Sequence, residues 1–199
     1  MAFTKTQLGI MEIFASHITE RYSINQISKM LKKPYALIFN SIKDLIKKEF
    51  ILKDNKGLIS LNYKNHHAEL AYIESIRKDY LFKKNSKIKF FYEDFTKKLD
   101  IDFFTILIFG STVISNNARD IDVLVIIENP QKVESIQKYL NQVTGLTTSK
   151  FDAHVIAVES VYEMFSQWEQ RNVMNETLNK HIILFGAENY YRMLKNARR

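Results

Sequence analysis

The N-terminal third of the chain repeats its apolar residues at helical spacing. Ile10, Ile13, Phe14 and Ile18 predict a first helix ending near Tyr22. Ser23 and Gln26 form an S-x-x-Q capping box ahead of a short apolar face, Ile24, Ile27 and Leu31. Pro34 suits the first position of a third helix, in which Ile38, Ile42 and Leu45 are the buried stripe and Ala36, Asn40, Lys43 and Lys47 share another face. Two short strand-like runs follow, Phe50 to Lys53 and Leu58 to Leu61, separated by Asp54, Asn55, Lys56 and Gly57, a hairpin-turn composition.

Further along, Leu70, Ile73, Ile76 and Tyr80 predict one helix from His66 to Phe82. The polar run Lys83 to Lys87 after it marks a domain boundary, so the expected organisation is residues 1–65, a helical linker 66–87 and a second domain 88–199. Ile88, Phe91, Phe95 and Leu99 define an amphipathic helix, and Phe103 to Phe109 is a continuous apolar run suited to a buried strand. A second buried strand runs from Val123 to Ile127, a helix from Val133 to Val143, and a third strand from Ala153 to Val158. Val161, Met164, Phe165 and Trp168 read as helix core. Met174, Leu178, Ile182 and Phe185 continue that pattern up to Gly186, read as a C-cap, and Tyr190 to Leu194 form a last helix expected to dock between the domains.

Composition narrows the class. With 46% hydrophobic and 26% charged residues, 5 Gly and 2 Pro, the chain is globular rather than disordered or collagen-like. The absence of cysteine excludes disulfides, thiolate zinc sites and a cysteine nucleophile, and makes a reducing cytoplasm the expected compartment. No apolar run approaches the length of a membrane helix, and Met1 to Ile10 lacks the pattern of a signal peptide, so neither insertion nor export is expected. Residues 1 to 66 hold eleven Lys/Arg against five acids, which is +6 of the chain's net +7. The positive charge therefore sits on the N-terminal module, as a polyanion-facing surface requires.

Three helices followed by a basic hairpin resemble a winged helix-turn-helix domain over residues 3 to 63. The resemblance implies DNA binding by the third helix, with Asn40 and Lys43 toward base edges, Lys47 on the same face, and Lys53 and Lys56 near phosphate. Tyr35, Leu37 and Phe39 make this helix unusually apolar, which keeps a protein interface open as the other use of the face.

The chemistry-bearing residues lie in the second module. The strand ending at Phe109 runs into Gly110-Ser111, eight residues precede Asp120-Ile121-Asp122, and the second aspartate opens the next strand. Period-two alternation aims Asp120 and Asp122 the same way. Two such carboxylates repel unless a cation neutralises them, and hard oxygen ligands suit Mg²⁺. Asp152, at the start of a further strand, is a candidate third ligand. His66 and His67 read as solvated rather than metal-ligating, and His154 as a core histidine.

A strand, Gly-Ser, a loop to Asp-x-Asp and a later strand aspartate together resemble the DNA polymerase β-type nucleotidyltransferases, most of all the minimal nucleotidyltransferases, over residues 88 to about 160. The resemblance implies that Gly110 and Ser111 bind nucleotide phosphates and that Asp120 and Asp122 hold Mg²⁺ on an NTP. Asp152 would bind a second metal or deprotonate the attacking hydroxyl. Two departures stand out: the Gly-Ser to Asp-x-Asp loop is shorter than the family pattern, and Arg119 replaces the serine that commonly precedes the first aspartate. Arg119 either grips the triphosphate or neutralises the aspartates in place of metal.

The expected fold class is α+β, an N-terminal winged helix-turn-helix plus a C-terminal nucleotidyltransferase-fold mixed sheet flanked by helices. The expected function is transfer of NMP, AMP favoured, from NTP to a protein or small-molecule hydroxyl, with Tyr190 or Tyr191 as an outside candidate acceptor. DNA, the nucleotide and a helical toxin-like protein are the implied partners, and a homodimer is left open. The alternative is a transcriptional regulator or antitoxin-like protein whose second domain senses a nucleotide or partner without turning it over.

Overall fold

Thr4 opens α1 (Lys5–Ser16) with a capping box, its hydroxyl accepting the Gln7 N–H while the Gln7 side chain accepts the Thr4 N–H. This computed structural model describes residues 3–115, 119–147, 149–167 and 172–198; Trp168 lies outside them. The first helix stops at Ser16 rather than near Tyr22 because the backbone beyond it has partners elsewhere. The Ile18 N–H donates to the Leu178 carbonyl at 2.9 Å, and Tyr22 exchanges two backbone hydrogen bonds with Ile59.

The predicted Ser23/Gln26 box caps α2 (Ile24–Leu31). Lys32 then takes a left-handed conformation, and Pro34 stands just ahead of α3 (Tyr35–Lys47), its carbonyl accepting the Leu37 and Ile38 N–H groups. The strands β1 (Ile51–Lys53) and β2 (Ile59–Leu61) pair antiparallel. Their turn is closed by Asp54, whose Oδ1 accepts the N–H groups of Lys56 and Leu58, both at 2.9 Å, with Gly57 at φ +80°. These backbone N–H bonds, that of Leu58 foremost, hold the Asp54 carboxyl below its ordinary pKa.

After α4 (His67–Lys84) and α5 (Ser86–Lys97) the chain enters a sheet. Its elements are β3 (Phe104–Phe109), the single turn α6 (Ser111–Ile114), β4 (Ile121–Ile127), α7 (Val133–Gly145), β5 (Phe151–Ala157), α8 (Val158–Ser166), α9 (Val173–Thr177), β6 (His181–Phe185) and α10 (Ala187–Ala197). The strand order is β5-β4-β3-β6; β4 and β5 are parallel, joined through α7, and the other pairs are antiparallel. The structure is thus mixed α+β, with helices flanking a mixed four-stranded sheet.

Residues 174–185 correct the reading of one continued helix. Leu178 ends the short α9 region and residues 181–185, His-Ile-Ile-Leu-Phe, form a strand that covers the second edge of β3. Two adjacent β-branched residues in a continuous apolar run suit a buried strand, and pairing with β3 outweighs the local helical spacing. Gly186 accordingly precedes α10 instead of ending a helix; a Cβ there would collide with the Phe104 carbonyl, and its φ is +75°.

One face of the sheet packs Ile106, Ile108, Val123 and Val125 against Phe91, Phe95 and Leu140. The other packs Leu107, Leu124 and Ile126 against Val161, Phe165, Tyr190 and Tyr191, and this cluster runs without a break through Leu70, Ile73 and Leu178 into Ile10, Phe14, Ile38 and Ile42 of the N-terminal module. Helix α4, read from the sequence as a linker, packs against α1, β6 and α10. Neither Tyr190 nor Tyr191 reaches solvent, which removes both as acceptor hydroxyls: Tyr190 is bonded to Thr177 at 3.0 Å and Tyr191 donates to Glu74 at 3.1 Å. The two adjoining histidines are half-buried rather than fully solvated. His66 packs its ring on Phe50 at 4.2 Å, and burial, with Lys195 nearby, lowers the pKa of His67.

Glu74 and Arg77, buried on α4, form a 2.5 Å ion pair. Glu74 also accepts the Ile183 N–H at 3.1 Å, Arg77 donates to the His181 carbonyl, and the His181 ring lies 3.5 Å from the same carboxylate. Burial pushes the Glu74 pKa up, but Arg77, His181 and the Ile183 N–H more than reverse it, bringing it to about 2. Because the folded value lies below the ordinary 4.5, this carboxylate stabilises the fold above pH 4.5 and the contribution disappears as pH falls from there toward 2. Arg77→Met strands the charge and is expected to cost about 3–5 kcal/mol in urea unfolding at neutral pH. A loss under about 1 kcal/mol in that measurement contradicts the assignment of this pair as the buried tie.

Candidate active site

Alternation along β4 puts Asp120, just before the strand, on the face that carries Asp122, Leu124 and Ile126. Parallel pairing with β5 sets Asp152 directly opposite Asp122, so the three aspartates share one end of one sheet face. Across the other edge of β4, Asp122 is in register with Phe109, which brings Gly110 against it. Gly110 is required twice over: its φ is +71°, and an added Cβ would overlap Asp122 Oδ2. Its N–H donates to the Lys180 carbonyl at 3.1 Å, fixing the turn to the start of β6. Ser111 is exposed at the head of α6, and Gly110 and Ser111 line a cleft with Asn175, Glu176 and Lys180. Thr112 Oγ1 donates to the Asp120 carbonyl at 2.8 Å, tying this turn to the Asp-x-Asp backbone.

The three carboxylates differ in their company. Lys150 Nζ lies 2.9 Å from Asp120 Oδ2, a bond that raises the lysine pKa, and His154 Nε2 lies 2.8 Å from Asp152 Oδ1. Asp122 is surrounded by acids. Partial burial raises its pKa, and the charges of Asp152, Asp120 and Glu176 raise it further. Arg119 is exposed, and among the described residues the ion pair of Asp120 is with Lys150. His154 is likewise an exposed partner of Asp152 rather than a core residue.

A divalent cation matches this donor set in chemistry, hard oxygens around a carboxylate that Asp152, Asp120 and Glu176 repel. Among the described residues no three His, Asp or Glu side chains converge on one point as they stand. Asp120 and Asp152 are each engaged by their basic partner, so a shared ion requires both to turn toward Asp122.

Lys150, Glu176, Lys180 and Thr112 were not singled out from the sequence. Lys150 could have been, since residues 150, 152 and 154 alternate onto one face of β5. Glu176 and Lys180 were hidden by reading their segment as one helix.

On the N-terminal module, Asn40, Lys43 and Lys47 are exposed on α3 and Lys53 and Lys56 on the hairpin; no ion pair among the described residues takes up these lysines. Comparison of the chain with protein-family models, with curated proteins and with solved structures finds no match.

The repulsion at Asp122 gives a sign-definite expectation. Its folded pKa lies above the ordinary 3.8, so ionised Asp122 weakens the fold at neutral pH, and the penalty is relieved as pH falls through the raised value toward 3.8. Asp122→Asn should raise the melting temperature at pH 7 without added metal, with the gain shrinking in acid. An Asn variant that melts lower than the native chain at neutral pH contradicts the uncompensated cluster.

Proposed function

We propose that the chain is a metal-dependent nucleotidyltransferase that carries a DNA-binding winged helix-turn-helix module. The observation that carries the enzymatic half is Asp122, held between Asp120, Asp152 and Glu176 beside a left-handed Gly110 that leaves no room for a side chain. A structural carboxylate is ordinarily answered by a donor or a cation, as Glu74 is; one ringed by acids at a sheet edge suits a bound cation. Mg²⁺ held by Asp120, Asp122 and Asp152 would draw charge from the triphosphate of the NTP.

The protein groups do the rest. The open Gly110 backbone lets phosphate approach, the Ser111 hydroxyl donates to its oxygens, and Asp152 accepts the proton of the attacking hydroxyl. His154, 2.8 Å from Asp152, orients that carboxylate. The hydroxyl oxygen bonds to the α-phosphorus as the bond to the β-phosphate oxygen breaks, giving the NMP ester and pyrophosphate. AMP is the favoured group, and the acceptor is a protein or small-molecule hydroxyl.

The second reading is a regulator whose sheet domain binds without turnover, and it is favoured by the Lys150–Asp120 bridge at 2.9 Å. Labelled NTPs offered with Mg²⁺ to the purified protein and a lysate separate the two. Transfer that depends on Mg²⁺ and falls to background in Asp120→Asn, Asp122→Asn and Asp152→Asn is the expected result. Absence of transfer from all four NTPs, with no Mg²⁺-dependent rise in melting temperature, decides for the regulator.

The DNA-binding half rests on exposed lysines along one face of α3 and on the hairpin, none of them in an ion pair among the described residues. Lys43→Glu with Lys56→Glu should abolish duplex binding in fluorescence anisotropy while nucleotide binding survives, because each reversal removes a counterion-releasing contact and adds repulsion. Undiminished DNA affinity at low salt in this variant contradicts the assignment.

A further inference from the structure

The exposed face of α3 is apolar at the end where base edges are read. Tyr35, Leu37 and Phe39 are 49%, 46% and 44% exposed, and the Tyr35 and Phe39 rings stack with centroids 6.1 Å apart and planes 23° apart. Helical spacing sets Ala36, Asn40, Lys43 and Lys47 alongside them, all exposed. In helix-turn-helix docking the first residues of the second helix meet the base edges. Tyr35, Ala36, Phe39 and Asn40 thus come first, Lys43, which the resemblance also sets toward base edges, stands almost a turn later, and Lys47 follows toward the backbone.

No arginine stands on α3, so of the two side chains that commonly contact guanine O6 and N7 only lysine is present there, set behind the first turn. Arg21 is the single arginine before Arg77, and its guanidinium is paired at 3.3 Å with Asp54 on the hairpin turn. What α3 offers instead is apolar surface, complementary to the 5-methyl group of thymine, and one side-chain amide, complementary to N6 and N7 of adenine. Lys43, Lys47, Lys53 and Lys56 supply the charge that holds a polyanion there.

We infer that α3 reads A·T base pairs in the major groove of duplex DNA, with Tyr35 and Phe39 on thymine methyl groups and Asn40 on adenine. This rests on the DNA-binding reading above and names what that surface selects.

The test is fluorescence anisotropy of the full chain on three duplexes of equal length and charge: one rich in A·T pairs, the same with deoxyuridine for thymidine, and one rich in G·C pairs. Phosphate contacts are common to all three, so differences report base edges and duplex shape, and the deoxyuridine duplex isolates the methyl group. The A·T duplex should bind at least about tenfold more tightly than the G·C duplex. Each thymine methyl in contact should contribute about fourfold, lost on deoxyuridine replacement. The Tyr35→Ala/Phe39→Ala variant should bind the thymidine and deoxyuridine duplexes alike, and Asn40→Ala should reduce the preference over G·C. Both variants alter exposed side chains, and unchanged circular dichroism confirms that they fold.

Equal affinity for the three duplexes overturns the inference and leaves DNA binding intact; no binding of any duplex at low salt overturns both. If the aromatic variant keeps native DNA affinity but changes the size-exclusion volume, the face belongs to a protein interface and the inference fails.

Discussion

A single carboxylate, Glu74, sets the frame. A buried charge is tolerable when its lone pairs are answered, and Glu74 is answered by Arg77 of α4, the Ile183 N–H of β6 and the Tyr191 hydroxyl of α10. Three elements distant in sequence are thereby fixed relative to one another. β6 is held in place beside β3, and the residue just before it, Lys180, presents its carbonyl to the Gly110 N–H. The turn that shapes the candidate site is therefore registered from the buried ion pair.

The contrast with Asp122 is informative. Both carboxylates sit on or against the same sheet, yet one is lowered by a cation and hydrogen bonds and the other is raised by burial and like charges. The difference follows from topology. Parallel pairing of β4 with β5 forces Asp152 opposite Asp122, and alternation along β4 forces Asp120 onto the same face. The basic partners, Lys150 and His154, reach the outer two aspartates and leave the middle one to its acidic neighbours.

Much of the frame was legible in the sequence where local chemistry decides it. The Ser23/Gln26 capping box, the Asp54–Gly57 turn and the apolar runs of β3 and β4 each carry their own signal, and the structure has an element at each. The shared face of Asp120 and Asp122 also followed from period-two alternation, whereas the place of Asp152 opposite Asp122 depends on the pairing of β4 with β5. What was not legible depended on partners far along the chain. β6 becomes a strand because β3 has a second edge to cover, while Met174, Leu178 and Ile182 offer the same spacing as a helix. α1 ends early because Ile18 bonds to Leu178, a partner no local window contains. Tyr190 and Tyr191, outside candidates for an acceptor hydroxyl, are buried because α10 closes over α4 and the sheet.

The same long-range contacts bear on how the two candidate surfaces relate. Thr19 donates from its N–H and its hydroxyl to Asn179 at 3.1 and 2.9 Å, next to the Ile18–Leu178 bond, so residues 178–180 meet the N-terminal module on one side and Gly110 on the other. Relative motion of modules is the default where the interface is small and polar. Here Leu70, Ile73 and Leu178 belong to one uninterrupted apolar cluster with Phe14 and Tyr191, and a hinge between the modules would expose all of them to water. On the proposed function, a polyanion on α3 and a nucleotide beside Asp122 would bind to a single body, and electrostatics through that body, rather than domain closure, would be the physical route by which either could sense the other.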